Sequence, residues 1–124
     1  MLYLAASEAV AILESRVHTP YLNSLQRTLH EIEIPGPLVV RPEDLGTPLP
    51  SDWNTIPVSQ SAREFGDHWV DGRRSLALRV PSVPGGMDGN VLVNILHPEF
   101  QANVKVVGGR PFVFDERLFF FDHQ

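Results

Sequence analysis

Glu14 is the first side chain in the sequence whose position could serve chemistry. It lies in the stretch AVAILESRVH, at the edge of an apolar helix face and beside Val10. A carboxylate there is either a surface group paired with Arg16 or His18, or a partly desolvated acid. A partly desolvated acid can hold ribose hydroxyls or stabilise developing positive charge. The position alone leaves both interpretations open.

Tyr3 and Ser82 are the other two candidates. Tyr3 lies on a predicted strand that leads into the Glu14 helix. There it could give a ligand an aromatic wall with a hydroxyl, or it could be a packed core tyrosine. Ser82 follows Pro81 at the start of a glycine-rich stretch, where its hydroxyl could donate a hydrogen bond to a ligand. A lone serine at such a place is more often a turn former, and spacing does not separate these alternatives.

The sequence lacks the residues and motifs of several common catalytic centres. It has no cysteine, which excludes disulfides, thiolate catalysis and cysteine-based zinc sites. No two histidines have the helical or zinc-finger spacing of a metal-ligand pair, and we interpret His68, near Asp67 and Asp71, as solvated surface. A P-loop, a dinucleotide fingerprint and a G-x-S-x-G elbow are also missing. We therefore expect no metal site.

Length, composition and charge narrow the class of protein. The chain has 124 residues, 43% of them hydrophobic and 20% charged, which suits one globular domain. The formal net charge of −5 argues against a general nucleic-acid binder and against binding to anionic membranes. No apolar run approaches the roughly 18 residues of a membrane span. The N-terminus lacks the basic region of a secretory signal, so we predict a cytoplasmic protein.

Periodicity, caps and turns predict the elements that must position the candidate side chains. A helix over residues 7–18 begins at Ser7, whose side chain can cap the first turn. Alternation and apolar runs predict strands. The other predictions are a second helix over 59–71, strands over 2–5, 30–35, 75–81 and 90–96, a helical turn or loop over 22–29, a glycine-rich loop over 82–89, and two strands around a turn at 108–111. This order predicts an α+β fold, with a mixed, mostly antiparallel sheet and short helices.

Fragments along the whole chain stand in the order found in one protein family. They are LYLAASEAVAILESRVH, EIEIP, LPSDWN, SQSAREFGDHWVDGRRSLALRVPSV, NVLVNILHPEF and FVFDERL. Together they resemble the RES domain, the toxin half of bacterial RES–Xre toxin–antitoxin modules. The resemblance implies that residues 1–124 form a single RES-like domain, with a fold similar to that of ADP-ribosyltransferases.

The resemblance also implies an activity and a set of site residues. Glu14 matches the family glutamate, Ser82 the family serine and Tyr3 the active-site tyrosine. Members of the family degrade NAD at the nicotinamide–ribose bond by hydrolysis or phosphorolysis, and some transfer ADP-ribose to protein. NAD is then the substrate, and neither a metal nor a covalent nucleophile is required. The implied partners are an Xre-type antitoxin and a second copy of the chain or a larger toxin–antitoxin complex.

The chain departs from the family in one respect. The family arginine lies upstream of the tyrosine strand, in a Gly-x-Arg-Trp-like segment, and no position here matches it. The other arginines do not stand in its place: Arg16, Arg73, Arg74 and Arg79. The expected N-terminal part of the domain is therefore absent from this sequence. The alternative hypotheses are a catalytically impaired remnant that binds an Xre-type antitoxin, and an unrelated small α+β ligand-binding domain.

Overall fold

A computed structural model describes residues 1–18, 26–55, 58–83 and 86–119, apart from the side chains of residues 86–88, 116 and 119. Its strands form two sheets, one of four strands in the order β1-β5-β4-β3 and one of the two strands β2 and β6. The strands are β1 Leu2–Ala5, β2 Gln26–Glu33, β3 Val39–Val40, β4 Ala77–Ser82, β5 Gly86–Val93 and β6 Lys105–Val113. The helices are α1 Glu8–Val17, α2 Gln60–Gly72 and α3 Phe100–Asn103, with short 3₁₀ turns at Gly36–Leu38, Pro42–Leu45 and Glu116–Phe119.

The strand pairing confirms the predicted fold class. Strand β5 pairs antiparallel with both β1 and β4, and β2 pairs antiparallel with β6. The short strand β3 pairs parallel with β4. The fold is therefore α+β, with mixed but mostly antiparallel sheets and short helices.

Both longer helices begin where the sequence predicts, because each has a serine cap. The Ser7 hydroxyl accepts a hydrogen bond from the Val10 backbone N–H at 3.2 Å, and Ser59 caps α2 in the same way. Helix α2 runs to Gly72 and closes at Arg73, which has a left-handed φ of 49°. The caps fix the start of α1 and hence the direction in which Glu14 points.

The core lies within the four-stranded sheet and against α2. Leu76, Ala77 and Val93 are fully buried at its centre. The buried Trp69 of α2 donates its indole N–H to the Ser75 hydroxyl at 2.9 Å. This bond lets a large aromatic ring fill the core without leaving its polar atom unpaired. The core thereby holds β4 and β5 in place under the candidate site.

Strand β5 differs from its prediction at both ends. It begins at Gly86, inside the predicted glycine-rich loop of residues 82–89, of which residues 84–85 lie outside the described part of the chain. It ends at Val93 because the buried Asn94 side chain turns the chain, donating to Val70 O at 2.9 Å and accepting from Leu96 N at 3.0 Å. Pairing with β4 thus overrides the local preference of glycine for a turn.

The prediction of a helical turn or loop at 22–29 was wrong where the structure describes it, and so was the prediction of a turn at 108–111, although the residues on either side of that turn are strand as predicted. Residues 26–29 are the start of β2, and residues 22–25 lie outside the described residues. Residues 108–111 are not a turn, because β6 runs through them from Lys105 to Val113 against β2. Glu31 pairs with Gly108 but Ile32 pairs with Val106, so Val107 is the extra residue of a bulge beside Gly108. Glycine and proline residues are compatible with a strand that has only one neighbour, as well as with a turn.

No helix in the described residues has the length and apolar character needed to cross a membrane.

Candidate functional site

Glu14 points from α1 toward the four-stranded sheet. Helix α1 packs on β1 and β5, and its residue Val10 is buried there. Glu14 follows Val10 by four residues, so it lies on the same helix face and is half-buried. Its Oε2 accepts a hydrogen bond from the side-chain amide of Asn90. Arg16 is directed elsewhere, with its Nε donating to Leu118 O at 2.8 Å. The contacts favour a partly desolvated acid over a surface acid paired with Arg16.

Asn90 is a site residue that sequence reasoning missed. It lies on β5, opposite Ala5 of β1 and opposite Val80 of β4, so strands flank it on both sides. The available signal was a lone amide at the start of an apolar strand, immediately before Val91. Nothing local indicated that its partner would be Glu14, which is 76 positions away in the chain.

Tyr3 lies on the same face of the sheet as Asn90. Tyr3 is opposite Leu92 in the β1–β5 ladder, and Leu92 is two residues from Asn90. Diagonal neighbours of this kind are about 7–8 Å apart. Tyr3 exposes 69% of its surface, so it is not a packed core tyrosine. The structure therefore brings Tyr3 and the Glu14–Asn90 pair together on one sheet face.

A cavity with aromatic walls lies beside Tyr3. Its volume is about 250 Å³, and it lies between β1, α2 and the segment that precedes α2. Its walls include Tyr3, Trp53 and Phe65, and Arg63 and Asp67 of α2 add polar groups. Trp53 was not predicted as a site residue. Such a cavity suits a planar ring with a polar edge, because the ring faces can stack and the edge can meet the polar groups.

Ser82 lies farther from the other two candidates. It is the last residue of β4, pairs with Gly86, and exposes 1% of its surface. Tyr3 of β1 is level with Leu78 of β4, because both are opposite Leu92 of β5. Leu78 precedes Ser82 by four residues, so the backbone of Tyr3 is about 16 Å from that of Ser82. One small group could not contact both Tyr3 and Ser82 in this conformation.

The arginines named in the sequence analysis do not meet at Glu14. Arg79 is opposite Val91, so it lies on the other face of the sheet, where it lines a separate cavity of about 430 Å³. Arg74 donates to Leu45 O at 2.6 Å, beyond the end of α2. Arg63 is the arginine that lines the cavity beside Tyr3. Among the described residues, no three His, Asp or Glu side chains form a metal-binding group.

Comparison with known proteins gives the family. The family model described as "RES domain" matches residues 1–115. The chain belongs to the RES domain family. This confirms the resemblance seen in the sequence, and the matched range contains Tyr3, Glu14, Ser82 and Asn90.

Two relatives align with most of this RES domain chain. It is 36% identical over 124 residues to "Prs ADP-ribosylating toxin" of Sphingobium sp. (strain YBL2), covering 95% of this chain and 74% of the relative. It is 32% identical over 120 residues to "Toxin Res" of Yersinia enterocolitica serotype O:8 / biotype 1B (strain NCTC 13174 / 8081), covering 94% of this chain and 76% of the relative.

Proposed function

We propose that this RES domain protein is a toxin that acts in the cytoplasm by breaking the nicotinamide–ribose bond of NAD. The observation that carries the proposal is the half-buried Glu14 carboxylate, held by Asn90 on the same sheet face as the exposed Tyr3. The similarity to a protein named as an ADP-ribosylating toxin supports the substrate, because ADP-ribosylation takes its ADP-ribose from NAD.

Glu14 stabilises the positive charge that develops on the ribose. When the bond between ribose C1′ and the nicotinamide nitrogen breaks, both bonding electrons leave with nicotinamide. The ribose becomes oxocarbenium-like, and a nearby carboxylate stabilises this state more than the ground state. An acceptor then attacks C1′ and loses a proton. The acceptor is water in hydrolysis, phosphate in phosphorolysis and a protein side chain in transfer.

Tyr3 and the cavity beside it hold the nicotinamide end of NAD. In NAD the nicotinamide ring is cationic, and aromatic faces such as those of Tyr3 and Trp53 attract a cationic ring. Cleavage makes the ring neutral, which weakens that attraction and favours release of nicotinamide. The amide of nicotinamide can meet the polar groups of Arg63 and Asp67.

Ser82 has a supporting role in this proposal. Its hydroxyl is buried at the end of β4, where the register with β5 shifts between Val80 and Ser82. Asn90 is opposite Val80, immediately beside this shift. We therefore assign Ser82 a structural role at the end of β4, and a contact with the ribose or the nicotinamide amide would require movement of the β4 end.

A second candidate function is binding of an Xre-type antitoxin without turnover. The favouring observation is that large apolar side chains are exposed, among them Val17 on α1 and Val106, Val107 and Val113 on β6, and exposed apolar side chains suit contact with a protein partner. In an active toxin some of these side chains would contact the antitoxin or a second copy of the chain. Co-purification with a helix-turn-helix protein encoded beside it, in the absence of NAD turnover, would favour this second function.

The deciding experiment is incubation of the purified protein with NAD, with and without phosphate. We expect release of free nicotinamide, followed by chromatography. The second product identifies the acceptor: ADP-ribose indicates water, its phosphate ester indicates phosphate, and labelled protein indicates transfer. Intact NAD under both conditions, from a protein shown to be folded by circular dichroism, would rule out the enzyme proposal.

A further inference from the structure

We propose that Asn90 is a positioning residue for the Glu14 carboxylate. Its amide N–H holds Oε2 and leaves Oε1 available to the reacting ribose. Among the described residues, no hydrogen bond reaches Oε1. This inference rests on the proposed NAD cleavage, and it assigns Asn90 a role that acts through Glu14 and not on the substrate itself.

The backbone of Asn90 is well placed to serve as a fixed point. It belongs to a central strand and is paired with Ala5 on one side and Val80 on the other. The neighbouring Gly89 carbonyl also accepts a hydrogen bond from Ala6 N at 3.1 Å, at the turn into α1. The same few residues thus tie β5 to the start of the helix that carries Glu14. A donor on this strand keeps its position when the helix end moves.

An amide has the chemistry that this role needs. A glutamate side chain has several rotatable bonds, so an unassisted carboxylate at the edge of a helix samples several positions. A lysine or arginine donor would fix the carboxylate but would also cancel the negative charge that is needed at the ribose. The Asn90 N–H is neutral, and it fixes the orientation while leaving the net charge in place.

The expected consequence is a loss of rate with little change in substrate binding. Positive charge develops on the ribose only as the bond breaks, so the orientation of Glu14 matters most in the transition state. Misplacing a catalytic group by about 1 Å can cost about 100-fold in rate. For Asn90→Ala we expect kcat to fall about 30–100-fold and KM for NAD to change by less than about threefold.

Two variants and one control test this role. Asn90→Asp has the same shape as Asn90 but puts a second carboxylate beside Glu14. We expect it to be nearly inactive at about pH 8 and to regain turnover as the pH falls toward about 5, where a shared proton can replace the amide N–H. Asn103→Ala removes an asparagine whose amide donates to Glu99 O at 2.9 Å in α3, away from the site, and should keep full activity.

Activity measurements and NMR spectroscopy distinguish two negative outcomes: that Asn90 does not position Glu14, and that the protein does not cleave NAD. If the unaltered protein cleaves NAD, an Asn90→Ala variant with unchanged kcat overturns the inference. A rise in KM as large as the fall in kcat also overturns it. If the unaltered protein does not cleave NAD, the side-chain amide resonances of Asn90 in isotope-labelled protein decide. A large shift of these resonances on Glu14→Ala, which removes the accepting oxygen, supports the pairing. Unmoved resonances overturn it.

Discussion

Tyr3 and Asn90 lie diagonally across the ladder between β1 and β5, on the same face of the four-stranded sheet. Asn90 in turn donates a hydrogen bond to Glu14, so the same pair of strands positions the aromatic ring of Tyr3 and the carboxylate of Glu14. A ladder fixes such a relationship more tightly than a surface loop does, because both strands are hydrogen-bonded along their length. The candidate site is therefore largely pre-formed in the strands.

Replacement of Glu14 by glutamine should abolish most of the activity and leave the fold intact. Glutamine keeps the length of the side chain and an oxygen that can accept from Asn90, but it removes the negative charge. We expect nicotinamide release to fall about 100-fold or more, because the charge on the ribose loses its counterion in the transition state. Turnover and thermal melting of the variant measure both effects.

Glu64→Gln is the matched control for this replacement. Glu64 lies on the exposed side of α2, where its carboxylate accepts from the Gln60 side chain at 3.0 Å. This variant makes the same chemical change outside the site, so it should retain full turnover. Equal activities of the Glu14 and Glu64 variants would contradict the role given to Glu14.

Removal of the aromatic walls should weaken the binding of NAD. Tyr3→Ala and Trp53→Ala each remove a ring from the cavity beside β1, whereas Tyr3→Phe keeps the ring. We expect KM to rise about 10-fold for each alanine variant and to change little for Tyr3→Phe, since ring stacking is worth about 1 kcal/mol or more. If Tyr3→Phe is as impaired as Tyr3→Ala, the hydroxyl and not the ring is what NAD requires.

Local patterns predicted the two longer helices well and the strands of the smaller sheet poorly. Ser7 and Ser59 cap α1 and α2 with hydrogen bonds between residues three positions apart, so the local sequence was enough to predict where each helix begins. Residues 108–111 contain two glycines and a proline, which are typical of a turn, yet they lie in β6. Their conformation depends on β2, which lies far away in the sequence, and local propensity does not contain that pairing.

The candidate site was predictable to a similar extent. The family resemblance indicated Tyr3 and Glu14, which the structure places at the same face of the four-stranded sheet. It did not indicate Asn90 or Trp53, because their relevance comes from tertiary contacts: a hydrogen bond to α1 and a shared cavity. The sequence did not indicate the burial of Ser82 either, since a lone serine at such a place is more often a turn former.

The Asp115–Arg117 pair should give a small stability difference that depends on pH. Hydrogen bonds from the Arg117 side chain and backbone lower the pKa of Asp115 from 3.8 to about 2. Since the folded-state pKa is depressed, the stabilisation is present above pH 3.8 and is lost as the pH falls toward 2. Asp115→Asn should therefore melt slightly below the unaltered protein at neutral pH and together with it near pH 2. Both groups are exposed, so 1 M salt should shrink the neutral-pH difference.

Asp71→Asn controls for the loss of one negative charge, because Asp71 is also exposed, on α2. The melting temperatures of the unaltered protein, Asp115→Asn and Asp71→Asn, measured from neutral pH down to about pH 2, test this prediction. A difference for Asp115→Asn that grows as the pH falls would have the wrong sign for a depressed pKa and would contradict the pairing.

Replacement of the buried Asn94 by alanine should destabilise the fold without touching the candidate site. The Asn94 side chain donates to Val70 O at the end of α2 and accepts from Leu96 N at the end of β5. Alanine removes both bonds and leaves a small void in a fully buried position, which should cost about 2 kcal/mol. For a domain of this size we expect the melting temperature to fall by about 6–10 °C. The half-exposed Asn103→Ala should lower it far less, because water can replace its bond to Glu99 O. Similar melting temperatures for the two variants would mean that Asn94 does not tie α2 to the sheet.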